Sequence, residues 1–239
     1  MIDSSVCGKK VSFLSKKWLN MERQTTIVLA TGNKGKIAEI RDLLVDFPVS
    51  IKYLNDFGPI PPVVEDGDTF EENAYKKASQ VARIIGLPAL ADDSGLCVTT
   101  LGGLPGVRSA RYGGKGLDDM ERSTRLLRAM AGKKDRAAAF ECVISIAVPT
   151  GQALTYEARC EGLITKAPAG DNGFGYDPIF YFPPLKKTFA QLNREEKSRI
   201  SHRGKALTEL RVEFDKVLAW IRMHLPEEEK FTCKERDDD

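Results

Sequence analysis

Apolar and polar positions along this chain change period several times, and each change marks an element. Ile27 to Ala30, in a strand expected from Thr26, is a short apolar run followed by Thr31-Gly32-Asn33, after which Ile37, Ile40, Leu44 and Phe47 recur at helical spacing up to Pro48. A strand, a glycine turn and a helix are predicted there. Thr69 and Glu72 form a capping-box pattern ahead of Ala74, Ala78, Val81, Ala82 and Ile85, and Gly86 with Pro88 closes that helix. Pro88 to Ala91 reads as a short strand leading into an acidic turn, Asp92-Asp93-Ser94-Gly95. Leu117 to Met130 is expected to be helical. Phe140 to Val148 and Leu154 to Ile164 flank Pro149-Thr150-Gly151-Gln152 as the two arms of a long β-hairpin. Leu207, Leu210, Phe214, Val217, Leu218, Ile221 and Leu225 make a last helical stripe, ended by Pro226. With no repeat or linker dividing the chain, the pattern predicts one α/β domain with a mixed sheet over residues 25–226.

Both ends fall outside that pattern. Residues 1–24 hold five basic and two acidic groups with little apolar periodicity and Met21 near their end. A floppy extension, or the product of an upstream start codon, is expected, so a protein starting at Met21 should keep its activity and melting temperature. A targeting segment is the other reading, which Asp3 and Glu22 weaken. Residues 227–239, with seven acidic and three basic groups, read as a solvated tail.

Composition narrows the class. The 239 residues are 42% hydrophobic and 29% charged with 12 prolines, an ordinary globular balance. Lys+Arg 36 against Asp+Glu 34 leaves a net charge of +2, too little to argue for nucleic acid or membrane as a partner. Any charge-driven function must be local. Cys7, Cys97, Cys142, Cys160 and Cys233 are scattered and never in a C-x-x-C pair, which points away from disulfides and zinc and toward a reducing, cytoplasmic setting. No apolar run approaches the ~18 residues of a membrane span.

Four segments could carry chemistry. Thr31, Gly32, Asn33, Lys34, Gly35 and Lys36 join a strand to a helix N-terminus, a phosphate cradle in outline, although the spacing is not that of a Walker A loop and a plain turn fits equally. Asp92 and Asp93 stand at the end of a predicted strand, and Glu65-Asp66-Gly67-Asp68 precedes the capped helix; such oxygen ligands suit Mg²⁺ with substrate phosphates, while helix capping by Asp68 and a turn at Asp92 are the plainer alternatives. In Gly173-Phe174-Gly175-Tyr176-Asp177-Pro178 two aromatics stand among glycines, either to stack on a base or to enter the core. Lys197-Ser198-Arg199-Ile200-Ser201-His202-Arg203 crowds donors at the start of the last helix, where the dipole prefers acids, so an anionic or electron-rich ligand would explain them; Ser201 as N-cap and a structural His202 are the alternatives.

Together and in this order, these segments, with Gly102-Gly103-Leu104-Pro105-Gly106 and Ser109-Ala110-Arg111-Tyr112, resemble the inosine triphosphate pyrophosphatase family. The resemblance runs from about Thr26 to Leu225, and Tyr176 matches the bacterial-type form rather than the animal form, which usually has Trp there. It implies an elongated mixed β-sheet flanked by helices, two lobes with the active-site cleft between them, a homodimer, and Mg²⁺-dependent cleavage of XTP, ITP and dITP to the monophosphate and pyrophosphate. By the matching motifs, Thr31 to Lys36 would hold the triphosphate, Glu65 and Asp93 the metal, with Asp93 also the base for the attacking water, and Ser94 would contact substrate. Phe174, Gly175, Tyr176, Asp177, Lys197, His202 and Arg203 would form the nucleoside end. Rival readings are a related-fold pyrophosphatase for modified pyrimidine nucleotides, which should lack the Ser-His-Arg segment, and a non-catalytic nucleotide-binding module, which would not need Asp93 beside Glu65.

Overall fold

The computed structural model describes residues 24–225 apart from Lys115. The expected extension up to Arg23 and the acidic tail at 227–239 lie outside the described residues. Strand β1 (Thr25–Leu29) leads through Thr31–Asn33 into helix α1 (Lys34–Leu44), as the change of period predicts. Strand β2 (Val49–Tyr53), helix α2 (Phe70–Ile85), strand β3 (Ala89–Val98) and helix α3 (Asp119–Ala129) follow. The hairpin is β4 (Ala137–Ala147) and β5 (Ala153–Ile164), then short strands β6 (Phe180–Phe182) and β7 (Lys187–Thr188). Helices α4 (Arg194–Ile200) and α5 (His202–His224) are the last elements among the described residues.

The seven strands form one sheet in the order β2-β1-β3-β4-β5-β6-β7. β1 pairs parallel with β2 and β3, and every later pairing is antiparallel, so the sheet is mixed. Helices cover both faces. α1 and α5 pack on one side through Ile40, Leu44, Leu210, Phe214 and Ile221, against Leu90, Ile144 and Ile146. α2 covers the other through Ala78, Val81 and Ala82, against Val28, Ala89, Ala91 and Ala147. This is why Ile27, Val28 and Leu29 read as an unbroken apolar run: a parallel strand in the middle of the sheet is buried on both faces.

The acidic turn expected at Asp92–Gly95 is not a turn. These residues lie within β3, which pairs without interruption from Ala89↔Ala147 to Val98↔Ala138. Turn chemistry is overridden because a full antiparallel partner satisfies the backbone and cations distant in the chain, Lys36, Lys77 and Arg203, pair with the carboxylates. Gly95 has a different purpose here. A Cβ there would stand 2.5 Å from the Gly106 carbonyl oxygen and 2.5 Å from Ser109 Oγ, because the helical turn Gly106–Arg111 lies directly on the strand. The last helical stripe also begins with a break: Ser201 separates α4 from α5 and caps α5 by accepting from Gly204 N at 3.1 Å. At the α2 N-cap, Thr69 accepts from Glu72 N at 3.1 Å, but Glu72 reaches back to Asp68 N at 2.8 Å rather than to Thr69.

Candidate active site

One cleft of about 1090 Å³ gathers residues from all four segments that could carry chemistry: Thr31 to Lys36, Glu65, Asp93, Ser94, Phe174 to Asp177, Lys197, His202 and Arg203 all line it, whereas Asp92 and the Gly102–Gly106 segment do not. Residues far apart in sequence meet because β1 and β3 are neighbours and the N-terminus of α5 reaches β3, where Arg203 bonds to Asp92 and Ser94.

The two aspartates of β3 divide along the pleat. Successive residues of a strand point to opposite faces. Asp92 points to the α1 and α5 side, where Lys36 Nζ lies 3.0 Å from Oδ1, Arg203 Nε 3.1 Å from Oδ2, and Ser94 Oγ donates at 2.7 Å. Burial alone would raise the Asp92 carboxyl, but the charges of Lys36 and Arg203 hold it well below the usual carboxylate range. Asp93 points to the α2 side. Burial raises it, and the charges of Lys77 and Lys36 offset only part. Its Oδ2 is buried with no hydrogen-bond partner.

Lys77, on α2, escaped the sequence reading. Its ammonium donates to the Asp92 carbonyl at 2.7 Å and lies 3.4 Å from Glu65 Oε1 and 3.5 Å from Asp93 Oδ1, tying the acidic loop to the strand. A signal was there: Lys77 follows Ala74 by three and precedes Val81 by four, so it interrupts the apolar stripe. The loop bearing Glu65 is also held by its backbone. Arg111 donates to the Glu65 carbonyl at 3.0 Å, and the fully buried Asn73 accepts from Gly67 N at 2.9 Å.

In the 31–36 turn, Asn33 Oδ1 accepts from Gly35 N at 2.9 Å and Lys36 N at 3.2 Å. Two amides expected to face a phosphate are thus capped by the chain itself. Lys34 and Lys36 bring full positive charge to the same place. The aromatic pair separates: Tyr176 is buried, its hydroxyl donating to the Ser109 carbonyl at 2.9 Å, whereas Phe174 faces the cleft at 36% exposure. Lys197 Nζ lies 4.7 Å and the Arg203 guanidinium carbon 5.6 Å from the Phe174 ring centre. Lys197 is ion-paired with the buried Asp177.

His202 stacks on Phe140, centroids 4.7 Å apart and 12° from parallel, and its Nδ1 is buried without a partner. Burial, with the Arg203 and Lys197 charges, holds it well below the usual imidazole range, so it is neutral at pH 7. Arg203 also donates to Glu39 at 2.9 Å and to Ser94 Oγ at 3.3 Å. Glu39 is a second residue the sequence did not flag; next to Ile40 on an amphipathic helix, it carries no distinguishing pattern.

Cations at a helix N-terminus, two carboxylates on a loop and a strand, and an exposed ring backed by two more cations define an α/β protein built to hold a polyanion with a flat apolar end. A Ham1 family model matches residues 27–213, and the chain belongs to that family. It is 60% identical over 202 residues to a dITP/XTP pyrophosphatase of Syntrophobacter fumaroxidans, covering 84% of this chain and 87% of that one. It is 52% identical over 192 residues to a dITP/XTP pyrophosphatase of Thermus thermophilus, covering 80% and 92%. A solved HAM1 protein from Coxiella burnetii matches with a TM-score of 0.77 at 44% identity, over 81% of this chain and 100% of that one.

Proposed function

We propose that this chain hydrolyses non-standard purine nucleoside triphosphates, XTP, ITP and dITP, to the monophosphate and pyrophosphate. The observation that carries the reading is Asp93: a buried carboxylate with an unpartnered oxygen, across Lys77 from Glu65, in a cleft that runs between the Lys34 and Lys36 ammonium groups and the Phe174 ring. The relatives named as dITP/XTP pyrophosphatases support the same substrates.

The donor set fits a hard divalent cation. Among the described residues no group of three or more His, Cys, Asp or Glu side chains could hold a metal alone, so a bound ion would take Glu65 and Asp93 and complete its shell with water and substrate phosphates. That is the habit of Mg²⁺. When bound, it would neutralise phosphate charge and favour the attacking water. The chain supplies the rest. Asp93 Oδ2 takes the proton as the water oxygen attacks the α-phosphorus and the α–β anhydride bond breaks. Lys36, Lys34 and Lys77 stabilise the charge developing on the departing pyrophosphate. Phe174 stacks on the base, with Tyr176, Asp177, Lys197, His202 and Arg203 forming the nucleoside end and Ser94 touching the substrate beside Asp93. A homodimer in the cytoplasm is the assembly and setting proposed.

The deciding experiment is pyrophosphate release from ITP, XTP, dITP, ATP and GTP, with and without EDTA. Release from the first three, abolished by EDTA and restored by excess Mg²⁺, is expected. A metal-independent reaction removes Glu65 and Asp93 as ligands, and binding without release makes the chain a nucleotide-binding module. Lys77→Ala should lower kcat/KM for ITP by ~10-fold or more, because the two carboxylates lose their shared counter-charge and the phosphates lose a cation. Equal turnover by this variant would remove Lys77 from the site.

A further inference from the structure

The Phe174 ring stands on a backbone that glycine makes soft. Gly173 and Gly175 flank it with φ of +79° and +63°, in the left-handed region that glycine adopts freely, so the loop itself does little to fix the ring. The peptide groups around the ring are fixed by side chains. Phe174 N donates to Asp177 Oδ2 at 3.0 Å, inside the loop, and Gly175 N donates to Asp119 Oδ2 at 2.7 Å, outside it. Ser123, one turn along the same helix, donates to the Gly175 carbonyl at 3.3 Å. Helix α3 therefore grips both ends of the Gly175 residue. Asp119 is itself held, because Arg122 pairs with its other oxygen at 2.5 Å and also donates to the Leu117 carbonyl at 2.5 Å. Burial would raise the Asp119 carboxyl, yet its bonds to Arg122 and Gly175 N bring it below the usual range, so it is the charged acceptor at neutral pH.

We propose that Asp119 is a positioning residue: its carboxylate, bonded to the Gly175 amide, sets where the Phe174 ring stands in the cleft and hence how well the base end of the substrate is held. This rests on the function proposed above. A charge-assisted bond to a backbone amide is among the stronger single constraints a loop can receive, and a small displacement of a stacking ring weakens base binding while leaving the phosphates and Asp93 in place.

The test compares Asp119→Ala, Asp119→Asn and Asp118→Ala. Asp118 is the N-cap of α3, in a reciprocal cap with Glu121, and the bonds to Gly175 come from Asp119 and Ser123 instead, so its loss weakens the helix by the usual cost of a cap without freeing Gly175. Asp119→Ala is expected to raise KM for ITP about 5- to 10-fold with kcat within about 2-fold, and to leave the inhibition constant of inorganic tripolyphosphate, which has no base, unchanged. Asp119→Asn, which keeps an acceptor oxygen on the same stem, should recover most of the KM. Asp118→Ala should lower the melting temperature at least as much as Asp119→Ala while keeping the normal KM. Independently of activity, hydrogen exchange of the peptide containing Gly175 should accelerate in Asp119→Ala alone. An equal KM rise in Asp118→Ala, or a parallel rise in the tripolyphosphate constant, overturns the proposal. If the wild-type protein cleaves none of the triphosphates, the functional reading fails, and exchange at Gly175 still decides whether Asp119 holds the loop: unchanged exchange in Asp119→Ala refutes it.

Discussion

Replacing Asp93 by asparagine should lower kcat for ITP by ~10²-fold or more in a protein that folds normally, the scale expected when a positioned proton acceptor is lost. Folding should survive because asparagine keeps the size and the polar oxygen, and because burial already works against the charge on this carboxyl. Lys77 keeps Glu65 and the Asp92 carbonyl as partners. Pyrophosphate release at saturating ITP, beside a melting curve of the same preparation, makes the measurement. The neighbouring Asp92→Asn provides the contrast. Asp92 is buried between Lys36 and Arg203, so its neutralisation should appear first as lost stability. A folded Asp93→Asn protein with near-normal turnover would exclude Asp93 as the base.

That contrast also marks where the sequence stops being readable. Periodicity places β1, α1, α2, the β4–β5 hairpin and α5 close to their observed bounds, because each buries a face whose spacing is local. Asp92-Asp93-Ser94-Gly95 misleads for a physical reason: its residues have turn chemistry, and only pairing with β4, together with Lys36, Lys77 and Arg203 from three separate helices, makes a buried acidic strand tolerable. Once the strand is known, alternation assigns Asp92 to one face and Asp93 to the other, and that separates a structural carboxylate from one facing the cleft. The motifs bring together the cleft's lining but not what holds it. Lys77, Glu39 and Asp119 act through partners distant in the chain, and no local pattern announces those partners. The two aromatics of the 173–177 loop show the same limit, since Phe174 is exposed in the cleft and Tyr176 is buried although Gly175 adjoins both.

Arg203→Ala should have the largest effect on stability of any substitution in the cleft, and a separate effect on selectivity. The residue is 3% exposed, and its guanidinium is bonded through Nε to Asp92, through one terminal nitrogen to Glu39 and through the other to Ser94 Oγ. Removing it leaves the buried Asp92 with Lys36 as its one ion-pair partner beside the Ser94 hydroxyl and takes the ion-pair partner from Glu39; breaking a buried pair in this way typically costs ~3–5 kcal/mol. At about 2–4 °C per kcal/mol for a domain of this size, the melting temperature should fall by ~6–20 °C. Activity must therefore be compared well below that temperature, on protein shown to be folded. A guanidinium carries five N–H donors and these bonds use three, so two remain for a ligand beside the Phe174 ring. Hypoxanthine and xanthine present an O6 acceptor where adenine has an amino group, so a donor aimed at O6 favours the first two and is left unpaired by the third. Under the proposed placement, Arg203→Ala lowers kcat/KM for ITP and XTP by at least ~10-fold, leaves ATP hydrolysis nearly unchanged, and so collapses the ITP/ATP ratio. Lys36→Ala should depress all triphosphates together, because each carries the same phosphates. Were Arg203→Ala to reduce ITP and ATP hydrolysis by one common factor, the arginine would be serving Asp92 and the fold alone, and the choice of base would have to reside in His202, Lys197 or a backbone amide of the cleft.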